Sequence, residues 1–327
     1  MLSLFRTNYF TTGFLLLFYA LLLWAAELWM GFGGGLEVQE GFFARLLLDW
    51  LGRGSILSNV LAILLLFVQA LLLNFLIARH RLDHQVTQFP GLFYILLNCY
   101  FVEYLQLTPI LLGNTFLFLA LLELFEMFKK YQVTTHLVNC GLWISIASLF
   151  YFPFIFFLIA AYIGVGILRA FRLKERIQFL IGALLPYYLL GVYFYVTGRW
   201  SAFWQETFDA PVGFLPALHI SSSEDYLKFG LLLAGVLLVL ANSRQYLIKK
   251  HIQAQRKVGI LIWFLVIGLL STVFVPEWTL LHFQILSIPM ATFLAMTFAS
   301  LRPGWAEALH FIFLSVALLW QFKPVLV

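Results

Sequence analysis

Apolar runs decide what this chain can fold into. A helix that crosses a bilayer needs about 20 predominantly apolar residues, with a range of roughly 17–25. Runs of that order recur at 10–31, 57–78, 91–106, 109–128, 136–150, 153–168, 177–198, 226–246, 258–275, 279–300 and 304–321. A soluble explanation fails on charge. Only 11% of the residues are charged and 63% are hydrophobic, whereas soluble domains carry about 25% charged residues. So little charge cannot cover a water-facing surface, and the 18% aromatic content suits lipid-facing walls with interfacial anchors. The expected fold class is all-α: a polytopic transmembrane helical bundle of about eleven spans. It forms a single domain over 1–327, with outer loops at 32–56 and 199–226.

The stretches 91–128 and 137–168 are bounded by basic residues at both ends. If basic ends mark one side, each stretch is a hairpin of two short helices. Thr108-Pro109 and Phe152-Pro153 supply the breaks, because proline disfavours helix in the residue before it. The charges then sort. Arg6, Arg79, Arg81, Lys129, Lys130, the cluster from Arg169 to Arg176, the cluster from Arg244 to Lys257, and Arg302 fall on one side, 15 of the 20 Lys and Arg. By the positive-inside rule that side is cytoplasmic. The expectation is a bacterial inner-membrane protein with a cytoplasmic N-terminus. The other side keeps Arg45, Arg53, Arg199, Lys228 and Lys323, and most of the acids. The net charge of +5 therefore reports topology and anionic membrane lipids, not a nucleic-acid partner. Cys99 and Cys140 lie in different apolar runs and are expected to stay unpaired.

The first outer loop carries the clearest local pattern. In QEGFFARLLLDWLGR, Arg45, Asp49 and Arg53 recur every four positions and share one helix face. Aromatic and leucine side chains fill the rest, which predicts an interfacial helix over 39–52 lying along the outer leaflet. Asp49 either pairs with Arg45 and Arg53 at i,i±4, or it faces a groove with Glu37 or Glu40 as a base or metal ligand. Glu103 stands near the outer end of the third span, where an ionisable group faces a cavity or reaches the interface. The loop 199–226 offers Trp200 and Trp204 as anchors of a second interfacial helix, and Asp209 with His219 as a conceivable acid/base or metal pair. His282 follows the turn Pro276-Glu277-Trp278. The small residues Gly141, Ser145 and Ser148 form a stripe suited to close helix packing. No glycine-rich phosphate cradle, CxxC or HExxH is present.

The strings SLFRTNYF, SILSNVLAILLLFVQALLLNFLI, TPILLGNTFLFLALLELF and GLWISIASLFYFPFIFFLIAAYIGV resemble an uncharacterised family of bacterial polytopic inner-membrane proteins. A first helix, an outer loop with an amphipathic helix and then hairpins of short helices is also similar in architecture to the multi-span (GT-C type) glycosyltransferases. That resemblance implies transfer of a sugar from a polyprenyl-phosphate carrier at the outer leaflet, with an acid in the first outer loop as base or metal ligand. The family's Asp-Glu pair after the first helix is missing here; Glu37, Glu40 and Asp49 are loose equivalents. On this expectation Asp49, Glu103 and Glu40 are catalytic. Arg45, Arg53, Arg199, His219 and His282 bind substrate. No cofactor is evident, and a divalent metal is the open alternative. Membrane lipids, a polyprenyl-phosphate sugar and other membrane proteins are the expected partners. A non-catalytic subunit or scaffold and a secondary transporter are the competing functions.

Overall fold

The structure is a computed structural model that describes residues 2–7, 10–31, 40–83, 85–209, 213–214, 223–243, 245–248 and 250–326. Every regular element among them is helical. In chain order the helices are α1 Phe10–Leu23, α2 Ala25–Met30, α3 Phe42–Leu51, α4 Ile56–His80, α5 Phe89–Asn98, α6 Pro109–Glu126, α7 Thr134–Phe150, α8 Phe157–Leu168, α9 Leu173–Val196, α10 Trp200–Trp204, α11 Ser223–Ala241, α12 Ile252–Ser271, α13 Ser287–Ser300 and α14 Pro303–Leu326. Six segments are long and apolar enough to cross a membrane: Ile56–His80, Pro109–Glu126, Leu173–Val196, Ile252–Phe274, Leu280–Ser300 and Pro303–Lys323. The remaining apolar helices are shorter.

Both proline breaks fall where the sequence places them. Thr108 caps α6, its Oγ1 accepting from the Leu111 amide at 2.9 Å, and Pro109 takes the first helical position. α7 ends at Phe150, and a 3₁₀ turn over Phe152–Phe156 carries Pro153 into α8.

The expected span 91–106 is corrected. α5 stops at Asn98, and only a single 3₁₀ turn, Val102–Tyr104, follows before α6. Ten helical residues rise about 15 Å, half of a bilayer's hydrocarbon core. Irregular backbone at such depth survives only where protein surrounds it, and here Gln321 Nε2 donates to the Cys99 carbonyl at 2.6 Å. The facing segment, Leu280–Leu286, is also 3₁₀. Tyr104 Oη donates to the Leu280 carbonyl at 2.8 Å, and Thr108 Oγ1 to Gln284 Oε1 at 2.6 Å. Two interrupted segments thus hold one another, a pairing that the sequence pattern does not show.

The closest helix contact is α7 against α9. A Cβ at Gly182 would stand 2.1 Å from the Val138 carbonyl oxygen, and one at Gly141 would stand 2.4 Å from that of Phe179. Small residues let these backbones touch, and Ser145 Oγ adds a hydrogen bond to the Ala183 carbonyl at 2.7 Å. The expected small-residue stripe is this contact. Leu280–Ser300 is central, with 83% of it buried, whereas Pro303–Lys323 is peripheral at 28%. α9 presents Leu180, Leu184, Tyr188 and Val192 outward at four-residue spacing, which forms an exposed apolar stripe.

Candidate functional site

The chain folds so that its charged loops gather at two opposite ends of the bundle. The acidic end holds most of the residues singled out above. Of the interfacial helix expected over 39–52, residues 42–51 are helical; 40, 41 and 52 are not, and 39 lies outside the described residues. Gly41 seats this helix on the end of α7: its amide donates to the Phe150 carbonyl at 2.9 Å, and a Cβ there would meet Leu149 O at 2.2 Å. Along α3 the charges divide between two partners. Arg53 reaches Asp49 at 3.0 Å and Glu40 at 2.7 Å, while Arg45 reaches Glu206 at 3.2 Å. Arg199 shares Glu206 at 3.5 Å. Asp49 is thus an i,i+4 partner of Arg53, and Arg45 turns away to the π-helical turn Gln205–Asp209 that follows α10.

Glu40 differs from Asp49. Its side chain is only 9% exposed against 61%, and its Oε1 is buried with no hydrogen-bond partner. Burial raises its carboxyl pKa above the usual value, and Arg53 opposes the rise. Glu103 lies elsewhere, on the turn 102–104, held by Lys228 of α11 at 2.5 Å. The acids expected to converge therefore have separate partners. His282 is 1% exposed, with Nδ1 at 2.6 Å from the Tyr151 hydroxyl and Nε2 at 3.4 Å from Ser271 Oγ. Both of its nitrogens are used inside the protein. Glu37 and His219 lie outside the described residues. Trp200 and Trp204 stack edge to face, half exposed, on the short α10. Among the described residues no three His, Cys, Asp or Glu side chains gather as a metal site.

The basic end is built differently. A cavity of about 1100 Å³ opens there. Arg79 and Arg81 line it from the end of α4, Lys129 from the turn after α6, Arg169 and Arg172 from the α8–α9 connection, and Lys250 and Arg256 from the start of α12. No carboxylate is among its lining residues. Local geometry holds some of these cations open. Arg81 and Lys129 adopt left-handed backbone at φ 48° and 59°, each just past a helix end. Arg169 is anchored by Glu175 at 2.9 Å and donates to the Lys130 carbonyl at 2.5 Å. Arg79 pairs with Glu126 at 2.6 Å, and Lys130 holds the same carboxylate at 2.9 Å.

Arg81, Lys129 and Arg256 have no carboxylate within 4 Å among the described residues. Behind the wall, Lys257 is 1% exposed and donates to Nδ1 of His80 at 2.8 Å. Lys250 Nζ donates to the Leu82 carbonyl at 2.5 Å and lies 3.8 Å from Asp83. Burial lowers its ammonium pKa, and Asp83 partly offsets the drop. A second cavity of about 310 Å³, lined by Asp83, Tyr246 and Thr297, shares Lys250.

No family model, curated protein or solved structure matches the chain. Neither resemblance drawn from the sequence gains support beyond the residues quoted for it.

The sequence pattern assigns these cations to topology and anionic membrane lipids, not to a site. The signal for more was available. Loops 79–81, 129–130, 169–176 and 250–257 all fall on one side, and a helical bundle that alternates direction must bring such loops to one end. Lys257 had a separate signal: it is the last charge before an apolar run, where an ammonium is drawn under its neighbours.

Proposed function

We propose that the chain is an integral protein of the bacterial inner membrane that engages a phosphate-bearing, membrane-associated ligand at its basic, cytoplasmic end. It crosses the bilayer eleven times, with the N-terminus inside. Six long apolar segments and five shorter apolar helices support that count, and the basic-rich end takes the cytoplasmic side under the positive-inside rule. The observation that carries the ligand reading is a cavity of about 1100 Å³ walled by seven Lys and Arg side chains without one carboxylate. Like charges gathered in a concave wall raise one another's energy, and an anion relieves that energy. Guanidinium groups match phosphate oxygens bidentately, and a cavity of this size holds a headgroup with part of its carrier.

The experiment is a melting curve of the purified protein in detergent, titrated with pyrophosphate at fixed ionic strength. Pyrophosphate should raise the midpoint, and an Arg81→Gln/Lys129→Gln/Arg256→Gln variant should lose the rise. If wild type and variant respond alike, the ligand reading falls and a scaffold role leads. Orientation is tested separately with Tyr131→Cys, which is 92% exposed between α6 and α7, and Asp49→Cys. In intact cells an impermeant thiol reagent should label the second and spare the first.

A second reading, glycosyl transfer at the outer leaflet from a polyprenyl-phosphate sugar, has one observation in its favour. Glu40 combines an unpartnered carboxylate oxygen, an upward-shifted pKa and a guanidinium at 2.7 Å. A base and a phosphate-binding cation in contact are what such a transfer needs. Glu40→Gln should then abolish a surface glycan without loss of the inserted protein. An unchanged glycan profile removes this reading.

A further inference from the structure

We infer that the basic cavity selects a terminal phosphate monoester or diphosphate over a phosphodiester, and that the buried Lys257–His80 pair beneath its wall sets this preference. The inference rests on the phosphate-ligand reading above. Lys257 carries its ammonium on α12 with 1% of its surface exposed and no carboxylate within 4 Å among the described residues. Its surroundings are Nδ1 of His80 at 2.8 Å and the faces of Phe125 and Phe128, at 5.7 and 6.0 Å from the ring centroids. An ammonium only donates, so the imidazole accepts at Nδ1 and holds its proton on Nε2. That Nε2 is buried and has no hydrogen-bond partner among the described residues. His80 itself is 6% exposed and lines the cavity. The wall therefore has behind it a cation with no carboxylate in contact and a donor with no partner among the described residues; Glu126, already shared by Arg79 and Lys130, acts on both only from a distance.

Buried charges are screened far less than exposed ones, so this positive field adds to that of Arg81, Lys129 and Arg256 inside the cavity. A phosphodiester brings one negative charge. A terminal phosphate brings nearly two above its second pKa of roughly 6, and offers three strong acceptor oxygens. The cations with no carboxylate in contact fit the second kind of ligand. The shared chemistry is a doubly charged phosphate, carried either on a lipid or on a soluble molecule.

The experiment uses the full chain in nanodiscs of phosphatidylcholine, buffered above the second phosphate pKa. One arm adds phosphatidic acid, a second phosphatidylglycerol, and a third soluble pyrophosphate. Binding is read by thermal shift and by intrinsic tryptophan fluorescence. Phosphatidic acid should bind about tenfold or more tighter than phosphatidylglycerol, the factor that about 1.4 kcal/mol gives. Lys257→Met and His80→Gln should each collapse that ratio. His80→Gln keeps a polar side chain at the wall, so it serves if Lys257→Met does not fold. Pyrophosphate should show the same dependence on Lys257, and whichever of it and phosphatidic acid binds tighter identifies the ligand's source. Equal binding of the two lipids to wild type, or a ratio that neither variant changes, overturns the inference and leaves phosphate binding standing. No binding in any arm overturns the phosphate reading itself.

Discussion

At the acidic end each of the five cations lies against a carboxylate. Arg53 meets Glu40 and Asp49, Arg45 and Arg199 meet Glu206, Lys228 meets Glu103, and Lys323 meets Glu224. At the basic end Glu126, Glu175 and Asp83 serve part of a larger set, and Arg81, Lys129, Arg256 and Lys257 are among the described cations with no carboxylate within 4 Å. One end is neutralised from within, and the other carries surplus positive charge. Paired charge contributes to holding loops in place. Surplus charge raises the energy of the folded state until an anion arrives. The same substitution, removal of a positive charge, should therefore have opposite signs at the two ends.

The sharpest test sets Lys228→Met against Lys257→Met. Lys228 is 11% exposed and its loss strands Glu103, whose Oε2 is already buried without a partner. Breaking a buried pair costs several kcal/mol, but Glu103 is 37% exposed. The expected loss is therefore about 1–3 kcal/mol of stability. Lys257→Met removes a buried cation with no carboxylate partner. In detergent stripped of anionic lipid it should stabilise the protein, by about 1–2 kcal/mol. Unfolding midpoints of the two variants that move in the same direction would end the comparison.

A second test stays at the acidic end. Arg53→Gln leaves the buried Glu40 without its cation and should cost about 1–2 kcal/mol at neutral pH. Adding Glu40→Gln should restore most of it. Additive losses in the double mutant would mean that the pair is not coupled.

The third test uses pH. Burial depresses the Lys250 pKa below its ordinary 10.5. In the window between the lowered folded pKa and 10.5 the unfolded chain binds more protons than the folded one. Stability should therefore rise with pH across that window, by at most about 1.4 kcal/mol per pH unit. Lys250→Met should flatten this part of the pH–midpoint curve. A slope that survives the substitution assigns it to another group.

The smallest effect belongs to Asp49→Asn. Both Asp49 and Arg53 are more than half exposed, and an exposed i,i+4 pair is worth about 0.3–0.5 kcal/mol. The midpoint should hardly move, whereas Glu40→Gln on the same cluster should register because its carboxyl is buried.

Much of this was legible in the sequence, and the limits have physical reasons. Helix positions follow from apolar runs and from Pro109 and Pro153, because backbone satisfaction in lipid permits little else. The Asp49–Arg53 pair follows from four-residue spacing. What spacing cannot show is which residues from distant loops meet. Arg45 was expected beside Asp49 and instead meets Glu206, 161 positions away. The break after Asn98 was hidden for a related reason: Phe101 and Leu105 read as span residues, yet they are buried against protein. Hydropathy scores both environments alike. The cavity escaped notice because the signal that sorts loops by side, an excess of Lys and Arg, is the same signal that builds an anion site.

The contact at Gly141 and Gly182 also sets an order of assembly. α7 leaves the ribosome first, and its bare glycine face has no partner until α9 has followed through α8 and the turn at 169–172. In a bilayer, lipid tails would fill that groove and would have to leave before the two backbones close to touching distance. The slow step in building this protein should then be the expulsion of lipid from one narrow seam. A bulkier residue at either glycine would stall maturation there, with the flanking helices already inserted and the protein open to the membrane's quality-control proteases.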